Sequence, residues 1–169
     1  MAFRGIARWG AAAIAVGLAL AGGYLSGVQE TGVQETGVQE TGGVGADPRN
    51  PVLVAEGQTI YQQHCASCHG ARGEGQPHWQ QRQANGRLPA PPHDPSGHTW
   101  HHPDPHLFIM VKNGVAALAP PGYQSDMPAY AGVLSDRQIL AVLAYIKSRW
   151  PPDVLLRQET RTAAFLAGR

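Results

Sequence analysis

Cys65-Ala66-Ser67-Cys68-His69 is the stretch on which the reading of this chain turns. It sets two thiols three positions apart, with an imidazole directly after the second. That is the spacing of covalent haem attachment. The thiols add to the two vinyl groups, and the neighbouring histidine turns its ring onto the iron. The expectation is one covalent haem c, with Cys65 and Cys68 as thioether residues and His69 as proximal ligand. Other chemistries of a Cys-x-x-Cys pair ask for other surroundings. A thioredoxin-like redox pair opens a long helix behind a strand, and no strand alternation precedes Cys65. A structural zinc site wants a second ligand pair, and the chain has only 2 cysteines.

A second axial ligand is sought among Met110, Met127 and the remaining histidines. Met110 falls inside a predicted helix, between Ile109 and Val111, and reads as core packing. Met127 lies in the loop Ser125-Asp126-Met127-Pro128-Ala129-Tyr130. Pro128 biases it away from helix, as a rigidly presented thioether requires. Met127 is therefore the expected sixth ligand. His98, His101, His102 and His106 crowd around Trp100. They read as a solvated loop with one ring near a haem propionate, or alternatively as a copper or zinc site.

Outward from the motif, helices are predicted over 54–65, from Pro105 behind Asp104 as N-cap to Asn113-Gly114, and after Ser135 as N-cap. In the last of these Ile139, Val142, Leu143 and Ile146 recur at helical spacing, and Pro151-Pro152 stops it. Residues 70–103 are rich in Pro, Gly and His and carry no period. Residues 154–165 read as a short amphipathic helix or as a frayed tail. The fold class is all-α, with a folded domain over 52–150 and a tail over 151–169.

Residues 1–25 read as a signal peptide or an N-terminal membrane anchor. Arg4 and Arg8 precede an uncharged apolar run, and Ala19-Leu20-Ala21 fits a cleavage site. A spanning helix wants about 20 apolar residues, so the run is short for an anchor. Residues 26–51 form a linker built on Gly-Val-Gln-Glu-Thr, repeated from Gly27, Gly32 and Gly37. One valine in five residues makes no apolar face, so a flexible tether is expected. With 169 residues one domain is the prior, and a net charge of +1 offers no field for nucleic acid. The 21 glycines and 14 prolines argue for loops, whose thin apolar core a large buried cofactor would supplement.

Taken with these features, the chain resembles the class I cytochrome c family, in particular its small bacterial monohaem members. Gly57 and Tyr61 stand ahead of Cys65 at the family's intervals. Val142-Leu143-Ala144-Tyr145 is similar to the family's last-helix stretch, with Val142 in place of a leucine. Asp126-Met127-Pro128-Ala129-Tyr130 resembles its axial methionine loop. The resemblance implies a cytochrome c fold in which N- and C-terminal helices cross, Gly57 permits close contact, and Tyr61 packs on Val142 and Tyr145. It also implies that a proline carbonyl backs the ring of His69. The prolines of Leu88-Pro89-Ala90-Pro91-Pro92 come later than in the family, so the choice among them stays open.

The expected function is that of an electron carrier, not an enzyme. Two protein ligands on the iron leave no open position, and no other catalytic constellation appears. The expected partners are redox proteins of the respiratory chain and, during maturation, the haem-attachment machinery. No nucleic acid is expected. The membrane is a partner through residues 1–25 if they remain uncleaved, and the location is the periplasmic side of the cytoplasmic membrane. The alternatives are a fixed haem subunit of a larger oxidase or dehydrogenase, and a haem enzyme or sensor with a displaceable sixth ligand.

Overall fold

Asn50 opens the first helix because its side-chain oxygen accepts from the free N–H groups of Val52 and Leu53, both at 3.1 Å. Pro51 fits the first helical position, where no N–H is needed. The computed structural model describes residues 45–168. The expected leader and most of the repeat linker lie outside the described residues. Among those described there are five α-helices and no strand: α1 (Pro51–His64), α2 (Ala66–His69), α3 (Asp104–Asn113), α4 (Asp136–Ser148) and α5 (Pro152–Ala167). Short 3-10 turns occur at Thr99–His101 and Val115–Ala117. None of these helices is long and apolar enough to cross a membrane.

The core is the α1–α4 contact. α4 carries a capping box, in which Ser135 accepts from the Gln138 N–H while the Gln138 side chain accepts from the Ser135 N–H. Its expected stripe is buried in full: Ile139, Val142, Leu143 and Ile146. Against it α1 turns Leu53, Ile60 and Tyr61, whose ring centroid lies 5.3 Å from that of Tyr145. Each such burial contributes about 1.5–3 kcal/mol. Gly57 sits where the two helices meet. A Cβ there would fall 1.9 Å from the Ala141 carbonyl oxygen, so no residue with a side chain allows this approach.

Two expectations need correction. Asp104 is not the cap of α3. It lies within the helix, behind Pro103, and is buried. Asp104, Leu107, Phe108 and Val111 share the inward stripe, and the carboxylate meets the Lys147 ammonium at 3.0 and 2.8 Å. Met110 lies on the flank of that stripe, half-buried, and is not among the core residues as its packing reading supposed.

Beyond Trp150 the chain continues as α5. Its Gln158 is wholly buried, and the two hydrogens of its Nε2 are shared among Asp104 Oδ1 (2.6 Å), the His102 carbonyl (3.2 Å) and Thr162 Oγ1 (3.1 Å). Thr162 Oγ1 also accepts from the Asp104 N–H at 3.0 Å. A buried carboxylate is tolerated when its polar atoms find partners, and α5 supplies one to Asp104 through the Gln158 amide. The choice between helix and frayed tail is thus resolved toward the helix. At the other end Ala46 is fully buried, so the chain is already fastened before α1 begins.

Candidate functional site

α1 ends at Cys65, and a single further helical turn, α2, carries the motif to His69. The Cys68 and His69 N–H groups donate to the Cys65 carbonyl at 3.1 and 2.9 Å. Positions i, i+3 and i+4 of such a turn share one side, so Cys65, Cys68 and His69 are presented together. Cys65 is half-buried, Cys68 exposed and His69 buried. Burial, and then the neighbouring Cys68, push the Cys65 thiol up to about 11. A redox Cys-x-x-Cys shows the opposite, a depressed thiol.

His69 Nδ1 lies 2.8 Å from the Pro91 carbonyl oxygen. A carbonyl only accepts, so Nδ1 carries the proton and Nε2 keeps its lone pair for a metal. This answers the open question of which proline stands behind the ring. Burial also lowers the imidazole's proton affinity, partly offset by the Pro91 bond. The Pro91–Pro92 segment is held from both sides. A Cβ on Gly75 would lie 2.5 Å from Pro92 N, and one on Gly97 would lie 2.0 Å from Pro92 O. Ladder-like bonds then tie the loop together: Gly75 N–H to the His69 carbonyl (2.7 Å), Gln76 N–H to Ala90 (2.9 Å), His93 N–H to Gly73 (2.8 Å). Tyr61 joins α1 to the same loop through its hydroxyl, which donates to the Gly70 carbonyl at 2.9 Å.

His93 completes the surroundings of His69. The two imidazoles are stacked at 4.0 Å and 22°. Burial, and then His69 and His98, hold His93 well below the usual histidine range. The other histidines form no three-residue metal group among the described residues. Trp79 stacks on His98, and His98 meets His102 edge to face, so this part of the loop is an aromatic pile.

Met127 is half-buried in the loop between Val115–Ala117 and α4. Its N–H donates to Ser125 Oγ at 3.1 Å. Asp126 pairs with Arg87 of the long loop. Three residues on, the Tyr130 hydroxyl donates to the His64 carbonyl at 2.7 Å, on the last residue of α1 before Cys65. The Tyr130 and Ala131 N–H groups bond back to Val111 and Lys112 of α3. The methionine segment is thus a non-helical strap, held at both sides of Met127 and fastened beside the cysteine motif.

The residues present fit a haem. Two thiols and an imidazole share one side of a turn, and the imidazole is committed to the tautomer that can ligate. In addition, the Trp100 indole N–H is buried with no acceptor among the described residues. A buried donor of that kind calls for an anionic or carbonyl oxygen, and a haem brings carboxylates. Sequence reasoning placed Trp100 in the histidine cluster but did not single out its indole. It also missed the Asp104–Lys147–Gln158 cluster. The available signal was Lys147, a cation four positions after Leu143 on the apolar stripe of α4.

No curated protein and no solved structure matches the chain significantly. The family model described as cytochrome c matches residues 54–150, from α1 to the tryptophan that closes α4. That span holds the cysteine turn, the Pro91 carbonyl and the methionine strap, and it covers more than half of the 169 residues. The chain belongs to the cytochrome c family, whose members bind haem c covalently and use it to transfer electrons.

Proposed function

We propose that the chain is an electron carrier holding one haem c through Cys65 and Cys68, with His69 and Met127 as axial ligands. On this reading it moves electrons between membrane-associated respiratory partners on the periplasmic side. The observation that carries the reading is the His69 Nδ1 bond to Pro91, which reserves Nε2 for iron on the side of the turn shared with both thiols. Bound haem c supplies a one-electron ferric–ferrous couple. The chain's own residues bind, orient and shield that group. Pro91 fixes the tautomer of His69. The strap from Ser125 to Tyr130 presents the Met127 thioether without the freedom of an exposed loop. The Trp100 indole offers its hydrogen bond to a propionate. With both axial positions taken by protein, substrate chemistry at iron is disfavoured and electron transfer is what remains. The basic and then apolar residues 1–25 support delivery across the membrane, where haem attachment takes place.

Extraction with acidified organic solvent tests the covalent bond, and the haem should stay with the polypeptide. The reduced and oxidised spectra test the ligands. Met127→Leu should abolish the weak far-red band of methionine ligation, and Met110→Leu should keep it. Haem released into the solvent, or the band lost in the Met110 variant and kept in the Met127 variant, would overturn the assignment.

A further inference from the structure

We propose that His93 is a positioning residue for the proximal ligand. It is a second imidazole stacked face to face on His69, which sets the orientation of that ring and favours the oxidised centre. The proposal rests on the His69 ligation just given. Stacking at 4.0 Å and 22° leaves the His69 ring little freedom to turn about its Cβ–Cγ bond, because rotation would drive its edge into His93. His93 itself is fixed on every side. Its N–H donates to Gly73 at 2.8 Å, and its carbonyl accepts from the Trp150 indole at 2.7 Å. Its ring meets Tyr61 edge to face, with centroids 6.1 Å apart. Its Nδ1 lies 2.9 Å from Thr99 Oγ1, while the Thr99 hydroxyl faces the Pro92 carbonyl at 3.5 Å. With that carbonyl taking the hydroxyl proton, Thr99 Oγ1 receives His93 Nδ1–H, and the ring is held with its face turned to His69.

The consequence is electrostatic as well as steric. Oxidation of the iron places positive charge on its imidazole ligand. The π face of an aromatic ring beside a developing positive charge attracts it. An aliphatic side chain in the same space would give packing without this attraction. His93 therefore stabilises the ferric more than the ferrous form.

The test is a spectroelectrochemical titration of the haem-loaded protein, together with the haem-methyl NMR shifts of the ferric state, which report the orientation of the proximal ring. Solvent extraction and the spectrum of the unaltered protein come first, and a failure there sinks the haem reading itself. In His93→Leu the ferrous-to-ferric ratio at the wild-type midpoint should rise about threefold, and the haem-methyl pattern should change. His93→Phe, which restores a ring face, should move both back toward wild type. An unshifted midpoint and pattern in a correctly ligated His93→Leu protein would overturn the proposal. So would a His93→Phe variant shifted as far as His93→Leu. Should His93→Leu fail to fold, Thr99→Val releases the ring instead. A change in the haem-methyl pattern then supports the proposal, and an unchanged one overturns it.

Discussion

Gly57→Ala offers a test in which two physical effects have opposite signs. In an exposed helix interior alanine is preferred over glycine by about 0.8–1 kcal/mol. If α1 and α4 merely lay near one another, the substitution would therefore stabilise the protein. The structure requires the reverse. The new methyl would sit 1.9 Å from the Ala141 carbonyl oxygen, 2.5 Å from its carbon and 2.9 Å from Tyr145 Cβ. Carbon–oxygen contacts settle near 3.3 Å, so the helices must part by about 1.4 Å. The atoms opposite are backbone and cannot rotate away. Parting them loosens Ile60 and Tyr61 against Val142 and Tyr145, and overpacking of this kind costs about 1–3 kcal/mol before those losses. The expected net effect is a loss of about 2 kcal/mol or more, against a gain of about 1 for a non-contacting glycine. At this domain size that is a fall of roughly 8 °C in Tm. The assay is thermal and denaturant unfolding of the haem-loaded protein, with Gln58→Ala on the exposed side of α1 as control. A Gly57→Ala midpoint equal to or above wild type would refute the contact as described.

Gly97→Ala should disturb the Pro91–Pro92 segment through the Pro92 carbonyl, lowering Tm and altering the spectrum; an unperturbed spectrum and Tm would mean that Gly97 does not hold this segment. Lys147→Met should cost about 3–5 kcal/mol by leaving Asp104 buried and unpaired, and Asp104→Leu with Lys147→Met should cost less than Lys147→Met alone; urea titrations decide, and a double variant no more stable than the single one counts against the pair. Burial, then repulsion from His98, His106, His101 and Arg161, keep the His102 imidazole below its usual 6.5. The unfolded chain then binds more protons just below that pH, so stability falls as pH drops through 6.5 toward the folded value. His102→Gln should show a smaller loss of Tm between pH 7.5 and 5.5 than wild type, and an equal loss would rule His102 out as a source.

What was legible in the sequence was local. The attachment motif, the Ser135–Gln138 cap and the period of α4 each lie within a few residues of their own cause. The loop at 70–103 carries no period, so its path could not be read. What fixes it is the close passage of Gly75 and Gly97 along Pro91–Pro92, which joins positions that are distant along the chain. Asp104 was misread for a related reason. An aspartate before proline has the local form of a cap, while its actual partner, Lys147, is 43 positions away. The same holds for α5. Its pattern was ambiguous because its anchor is the amide of Gln158, placed on a polar cluster built by two other helices.

The fastening of the chain around Ala46 bears on how the domain would carry load. Arg49 donates to both carboxylate oxygens of Glu159 on α5, at 2.6 and 3.0 Å. Residues 45–48 also run along a groove shared with Thr162, Ala163 and Leu166 of that helix. A pull arriving along the chain ahead of Gly45 is therefore taken up first by α5, at the opposite end of the sequence. The Cys65–His69 turn lies a further 14 residues of helix away, about 21 Å. The segment leading into the domain is thus braced on α5 before it joins the helix that ends at the cysteine turn.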